Sequence, residues 1–413
     1  MSALRPAPVT TDAAASRAEA VRARRSLVAL FAATFTELTG LFLFGPLLLF
    51  TLKARGLDTA TVGAFAALQW GGLLVATPFA SSWVQRLGPR NALLASGAVP
   101  LVALAGMLVW HSLPVWSLLY FVAGMASALR WILAEATVAE LAPPHRRGRV
   151  MGLFAMMIGV TFMAGPALLS VLLSAGWDTR GVGWVAVSLV ALGLLLLVPV
   201  RPPPAGAATG RSGWRGTWSA VRAAPVVMLT GFIGGFFESG LASTLPLYGL
   251  TVGMSAASAA LLVSVSGLGS TLLAPLAGEL ADRLSTARVR RACALTCLLA
   301  TLGLLAVPRW GAWVWPIAFC WGGAGAALYT LAMVDIGHRH QGVALVNSTA
   351  VLVMAYTAGG MLAPAAGGAM LQWAPGIGFP ALLAAVSLLG WWPVAPAILG
   401  RIGARQGESS DSD

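Results

Sequence analysis

Runs of about 20 mainly apolar residues recur along this chain from Ser26 onward, the length a helix needs to cross the hydrocarbon core of a bilayer. That repetition narrows the possible folds sharply. In lipid, every backbone polar group must be satisfied internally, so a spanning segment is either a helix or a strand of a closed barrel. These runs are continuously apolar and lack the short alternating segments of barrel strands. The sequence therefore predicts an all-α integral membrane protein. Only 10% of its 413 residues are charged and 58% are hydrophobic, whereas soluble domains carry about 25% charge.

Charge, proline and glycine divide the apolar stretches into twelve expected spans, at 27–52, 60–84, 91–110, 116–139, 150–173, 182–200, 225–248, 255–280, 290–308, 313–335, 343–371 and 378–399. The Pro- and Gly-rich basic segment 201–224 reads as a cytoplasmic linker between a six-span half at 26–200 and another at 225–400. Residues 1–25 read as a disordered cytoplasmic tail and 401–413 as a second tail. The first hydrophobic run is too long for the core of a signal peptide, so no cleavage is expected. The halves repeat weakly: Pro78, Arg86 and Leu87 recur with the same spacing as Pro275, Arg283 and Leu284. Parallel half-repeats suit a transporter with a path between two bundles.

The net charge of +12 is better explained by orientation than by nucleic-acid binding. With both termini cytoplasmic, 21 of the 26 basic residues fall on the inner side. Only Lys53, Arg55, Arg180 and Arg309 fall outside, and Arg130 lies within a span. The expected location is the inner (plasma) membrane. Cys293, Cys297 and Cys320 sit in apolar runs without a His or carboxylate to complete a metal site, so they read as packing thiols. His338, Arg339 and His340 read as a charged loop. No metal or cofactor is expected, and with no Gly-Lys-Ser/Thr phosphate loop, ATP-driven transport is not expected either.

The loop beginning at Gly278, GELADRLSTARVRR, matches a G-x-x-x-D-R pattern at Gly278, Asp282 and Arg283. Its first-half counterpart, SSWVQRLGPR from Ser81, keeps Arg86, Gly88 and Arg90 but has Ser81 in place of the glycine and Gln85 in place of the acid. With ELAPPHRRGRVMGLF from Glu140 and WGGAGAALYT from Trp321, the chain from about Ser26 to Arg401 resembles the major facilitator superfamily, in particular a branch of bacterial members of uncertain substrate. That resemblance implies twelve helices in two six-helix bundles related by a pseudo-two-fold axis, with spans one, four, seven and ten lining a central cavity. It also makes the two loop motifs gating elements. Gly159, Gly165 and Pro166 resemble a glycine-proline motif of antiporters, and with Gly359, Gly360 and Pro364 in span eleven they are candidate hinges. Close packing of small residues is the alternative for both sets.

Intramembrane ionisable residues are costly and mark functional sites by default. The deepest are Glu37 in span one, Arg130 and Glu135 in span four, and Glu238 in span seven, all on the implied cavity spans, and they are the candidate proton-coupling and substrate-cavity residues, with protonation of Glu37 or Glu238 expected to compete with substrate. A buried carboxylate must be neutralised by a proton, a cation or an arginine. Glu37 and Arg130 lie at matching depth and form the candidate pair. Arg130 also resembles the span-four arginine of proton-coupled drug antiporters. Glu135 is five residues on, at about 140° around the helix, so it faces elsewhere. Glu238 has no evident basic partner. Phe35, Phe42, Trp131, Phe236, Phe237 and Tyr329 are candidate aromatic contacts for an apolar substrate. The expected function is a monomeric, proton-coupled exporter of a small amphiphilic molecule. A proton-linked importer of a small organic solute, a non-transporting sensor and a membrane enzyme are the alternatives; the enzyme reading would require acids clustered at the interface.

Overall fold

The computed structural model describes residues 10–143, 146–202, 225–304, 307, 311–339, 342–374 and 376–390. Helices make up the fold, with no strand among the described residues. We number the helices by the expected spans: helix 1 (Thr10–Ala54), helix 2 (Thr59–Leu87), helix 3 (Pro89–Val109), helix 4 (Leu113–Leu141), helix 5 (Arg147–Ser174) and helix 6 (Thr179–Leu197). The second half holds helix 7 (Pro225–Thr251), helix 8 (Ala256–Arg283), helix 9 (Thr286–Gly303), helix 10 (Val314–Arg339), helix 11 (Gly342–Trp373) and helix 12 (Gly378–Leu389).

Ten of these contain stretches long and apolar enough to cross a membrane. Helix 9 falls short because Arg288, Arg290 and Arg291 lie in it, and helix 12 because Gly378–Leu389 spans 12 residues. Helix 1 begins at Thr10, so part of the segment expected to be a disordered tail is helical. The expected linker beyond residue 202 and the tail 401–413 lie outside the described residues.

Two spans that read as uniform in sequence are locally rewound. Helix 2 passes through a 3-10 turn at Thr77–Phe79, which contains Pro78. Helix 7 opens into a π turn at Phe236–Gly240, which contains Glu238. Turns of this kind mark functional positions because they re-aim side chains at the cost of regular hydrogen bonding. Helices 1, 3, 5, 7, 8 and 11 carry interior prolines, which spanning helices tolerate where neighbours satisfy the freed backbone.

Four pairings recur in both halves, whereas the broad packing of helix 1 on helix 6 has only a slight counterpart in helix 7 on helix 12 among the described residues. Helices 1 and 5, 2 and 4, 3 and 4, and 3 and 6 pack in the first half; 7 and 11, 8 and 10, 9 and 10, and 9 and 12 pack in the second. The halves meet chiefly through helix 2 on helix 11 and helix 5 on helix 8. Glycine makes the first seam possible, since a β-carbon on Gly368 would lie 2.8 Å from the Cα of Gly63. Farther along it, the Thr59 amide donates to Gln372 Oε1 at 3.0 Å. In the second seam Ser264 Oγ donates to the Met163 carbonyl at 2.9 Å. These contacts lie from mid-depth toward the end of the molecule that carries the 55–58 loop and the C-terminal end of helix 11. In the first of those loops Asp58 caps helix 2, and hydrogen bonds from the Thr61 amide and hydroxyl hold its carboxyl below the usual range.

Candidate functional site

Helix 1 and helix 4 bring the expected pair together. Arg130 Nε donates to Glu37 Oε2 at 2.7 Å, and Arg130 Nη2 donates to Thr34 Oγ1 at 3.1 Å. Glu37 is 1% exposed and Arg130 5%. Helix 6 closes over them, because Gly193 has no side chain where a β-carbon would sit 2.8 Å from Glu37 Cβ. The pair is therefore enclosed within the first half and does not face an open cavity. Arg130 Nη1 is buried there without a hydrogen-bond partner.

Glu238 has a different setting. The π turn places it where Ser270 Oγ of helix 8 donates to its Oε1 at 2.7 Å and the Tyr356 hydroxyl of helix 11 donates to its Oε2 at 3.1 Å. Ser239 in the same turn also bonds the Tyr356 hydroxyl. Helix 10 approaches the turn closely, since a β-carbon on Gly325 would lie 2.7 Å from the Glu238 amide nitrogen. This gives the WGGAGAALYT stretch a packing role: Gly322 likewise leaves room for the Ser266 carbonyl. Among the described residues, Glu238 has no ion-pair partner. A narrow cleft lined by Phe162 of helix 5, Glu238, Val263, Ser266 and Ser270 opens beside it, at the seam of helices 5 and 8.

Aromatic rings carry this cluster across to the first half. Tyr329 of helix 10 lies 4.7 Å from Tyr356 between ring centroids, and Trp131 of helix 4 meets Tyr356 edge-on at 6.3 Å. Trp131 Nε1 in turn donates to Glu135 Oε1 at 2.7 Å. Glu135 is exposed while Arg130 on the same helix is buried, so the two do point apart as their spacing requires. Glu135 and Glu238, on opposite halves, are thus joined through Trp131 and Tyr356.

The remaining expected residues lie apart from this cluster. Arg86 and Arg90 are exposed on either side of Gly88, whose φ of +79° suits glycine at the turn between helices 2 and 3. Arg283 pairs with Glu279 at the exposed end of helix 8, near Gly278. Asp282 lies in the same helix, and its side chain is outside the described residues. Helix 5 runs unbroken through Gly165 and Pro166, where Gly165 packs on Thr39, Phe42 and Leu43 of helix 1. Gly359 admits the Phe232 carbonyl, Gly360 faces Trp70, and the Pro364 carbonyl abuts Gly63. The three cysteines are free, with Cys297 buried. The side chains of His338, Arg339 and His340 lie outside the described residues.

With this geometry in hand, residues 30–349 match the model of the Major Facilitator Superfamily. The chain belongs to this superfamily. Within it, the chain is 26% identical over 336 residues to an uncharacterized MFS-type transporter, YcaD, of Salmonella paratyphi A, covering 79% of this chain and 84% of that one. The protein of the same name from Salmonella heidelberg is 27% identical over 331 residues, covering 78% and 82%. Among solved facilitator-type structures, a peptide transporter POT in complex with sulfate aligns with a TM-score of 0.73 at 14% identity, covering 92% of this chain and 95% of that one. A bacterial homolog of the human lysosomal transporter Spinster, inward-facing and unoccupied, aligns with a TM-score of 0.65 at 17% identity, covering 89% and 94%. At such identities these structural likenesses speak to the fold alone. Sequence reasoning missed Tyr356 and Ser270 because it looked for site residues on helices 1, 4, 7 and 10. Tyrosine rarity was the available signal: the chain has 4, and two of them meet at Glu238.

Proposed function

We propose that this superfamily member is a secondary active transporter that exports a small amphiphilic molecule in exchange for protons by alternating access. The observation that carries this reading is Glu238: an intramembrane carboxylate at the seam between the halves, hydrogen-bonded among the described residues only by neutral donors. Such a group needs a proton or a cation to neutralise it, and exchanging one for the other is the chemistry of coupling. Glu135, reached through Trp131 and Tyr356, serves as a second proton site on the opposite half. The Glu37–Arg130 pair is already neutralised and sealed, and it holds helices 1 and 4 in register.

In this reading twelve spans form two six-helix bundles in the inner membrane, both termini are cytoplasmic, and one chain suffices. The recurrence of helix pairings in the two halves supports the two-bundle arrangement. With that orientation the bundles touch on the outer side, which makes this an inward-facing state. The glycine-rich seam between helices 2 and 11 is the contact that must part for outward opening, with Gly165, Pro166, Gly359, Gly360 and Pro364 as hinges and the Arg86–Arg90 and Gly278–Arg283 loops as gates.

The test is proton movement in proteoliposomes under an imposed pH gradient, screening pooled drugs, sugars and organic acids. Wild type is expected to dissipate the gradient when its substrate is added, whereas Glu238→Gln does not. The direction of proton flow separates exchange from co-transport. Equal proton movement by wild type and Glu238→Gln would refute the role given to Glu238.

A further inference from the structure

We infer that the outward face of helix 9 docks an anionic phospholipid, its phosphate held between Arg288 and Arg291 and its acyl chains lying along Leu295, Leu299 and Leu302. The inference needs the membrane-spanning fold and nothing from the transport reading.

Packing on the other sides of the helix defines this face. Helix 9 packs on helices 10 and 12, and its Val289, Ala294, Cys297 and Thr301 are buried. Trp321 of helix 10 marks the covered side, with its Nε1 donating to Thr301 Oγ1 at 3.3 Å. Arg288, Arg291, Leu295, Leu299 and Leu302 are all exposed. At 3.6 residues per turn these five fall on one strip about 80° wide. Its length suits a single leaflet. The rise from Arg291 to Leu302 is about 16 Å, close to half of the roughly 30 Å hydrocarbon core. An apolar strip as long as an acyl chain, ending in two exposed guanidinium groups, follows a phospholipid from tail to headgroup.

The two charges are aimed but not discharged. Arg288 donates through Nε to Ser285 Oγ at 3.2 Å and through Nη2 to the Leu284 carbonyl at 3.4 Å, and Arg291 Nε donates to the Ala287 carbonyl at 3.3 Å. These neutral acceptors lie toward the loop end of the helix, so they turn the guanidinium groups away from the leucines and toward headgroup level. Nearby acids are too few to cancel the charge. Glu279 already pairs with Arg283, and Asp282, whose side chain lies outside the described residues, is one acid against Arg288, Arg290 and Arg291. Residues 279–291 hold four arginines and two acids, a net charge of +2. Guanidinium groups suit phosphate oxygens because they donate in a planar fork, and basic side chains at the membrane surface attract anionic lipid.

The need to orient the chain does not account for arginines at these two positions. With the spacing that relates Pro78 to Pro275 and Arg86 to Arg283, Asn91 and Leu94 of helix 3 stand where Arg288 and Arg291 stand in helix 9. The first half carries its charge at this turn on Arg86 and Arg90, on either side of Gly88. The second half moves charge into the helix, onto the face that continues as exposed leucine.

The experiment is native mass spectrometry of the delipidated full-length protein in detergent, titrated with phosphatidylglycerol or with phosphatidylcholine of the same acyl chains. Wild type is expected to retain the first phosphatidylglycerol in clear preference. That preference should fall by about fivefold in Arg288→Gln and again in Arg291→Gln, the effect of one basic residue near the surface, and the double variant should nearly lose it. Replacing both with lysine should keep most of it, since the charge stays. Leu299→Ser should weaken both lipids alike, because chain contacts do not sense the headgroup. Arg201→Gln, an exposed arginine at the end of the first half, should change nothing. Glycerol 3-phosphate, which has the phosphate without the chains, should not displace the lipid. Each variant is first checked for a monodisperse elution profile. If the double variant misfolds, the two lipids and the glycerol 3-phosphate competition on wild type still decide. Equal retention of both lipids, a preference indifferent to both arginines, or displacement by glycerol 3-phosphate would each overturn the inference. So would a dimer that forms without lipid and dissociates in Leu299→Ser, which would give this face to a second copy of the chain.

Discussion

Two of the intramembrane carboxylates, Glu37 and Glu238, lie at comparable depth and are treated in opposite ways. Glu37 is ion-paired to Arg130 at 2.7 Å, sealed by helix 6 and 1% exposed. Glu238 has a serine and a tyrosine as donors, sits in a π turn and opens on a cleft. An acid that has its own cation inside the fold has little free energy left to exchange with solvent or ligand. One that has only neutral donors stays dependent on whatever enters. Burial alone therefore does not identify the working group; the charge of its partners does.

The sharpest way to break this contrast is a pair of matched substitutions read in two assays. Glu37→Leu removes the partner of a buried guanidinium that already has one unpartnered nitrogen, and it should cost about 3–5 kcal/mol of stability. The measurement is thermal or denaturant unfolding in detergent. Replacing both partners, Glu37→Leu with Arg130→Met, should recover most of that loss, because well-packed apolar pairs often substitute for buried ion pairs at little cost. A double variant as unstable as the single would show that the pair does more than neutralise itself. Glu238→Gln should behave oppositely. It keeps an acceptor for Ser270 or Tyr356 and should change stability by under about 1 kcal/mol, the scale of a hydrogen bond between spanning helices. Substrate-driven proton movement should nevertheless be lost entirely.

How far the sequence reveals this contrast depends on the length scale. The membrane class and most helix positions follow from apolar runs, because the bilayer imposes one length and one backbone solution on every span. The Glu37–Arg130 pair was also legible, since two opposite charges at matching depth in lipid have few alternatives to meeting. Tyr356 and Ser270 were not, because which face of helix 8 or 11 turns toward Glu238 depends on how the two halves pack. The π turn at Phe236–Gly240 was hidden for a related reason: FFESG continues an ordinary apolar run, and the rewinding goes with the close approach of helices 10 and 11 at Gly325 and Gly235. Helix 1 errs the other way. Polar residues before Arg25 read as an unstructured tail, yet the structure continues the helix back to Thr10.

A smaller perturbation sharpens the Glu238 side of the comparison. Tyr356→Phe keeps the ring that meets Tyr329 and Trp131 while deleting the hydroxyl shared by Glu238 and Ser239. It should cost about 1 kcal/mol of stability, one net hydrogen bond with partial rescue by rearrangement. Transport should slow by several-fold but remain coupled, because Ser270 still orients one carboxylate oxygen. Uncoupled transport in this variant would mean that the hydroxyl itself carries the proton.

Ser270→Ala is the gentlest test and for that reason the most discriminating. It deletes one neutral donor 2.7 Å from Glu238 Oε1 and leaves Tyr356 in place. The expected stability loss is about 0.6 kcal/mol, the average for polar contacts between membrane helices, close to the limit of an unfolding assay. If Ser270 only orients the carboxylate, transport should fall by a small factor that Ser270→Thr restores, since threonine returns the hydroxyl with one extra methyl. A loss of proton movement as complete as in Glu238→Gln would show that the contrast with Glu37 is incomplete: Glu238 would then depend on its neutral donors as strictly as Glu37 does on its arginine.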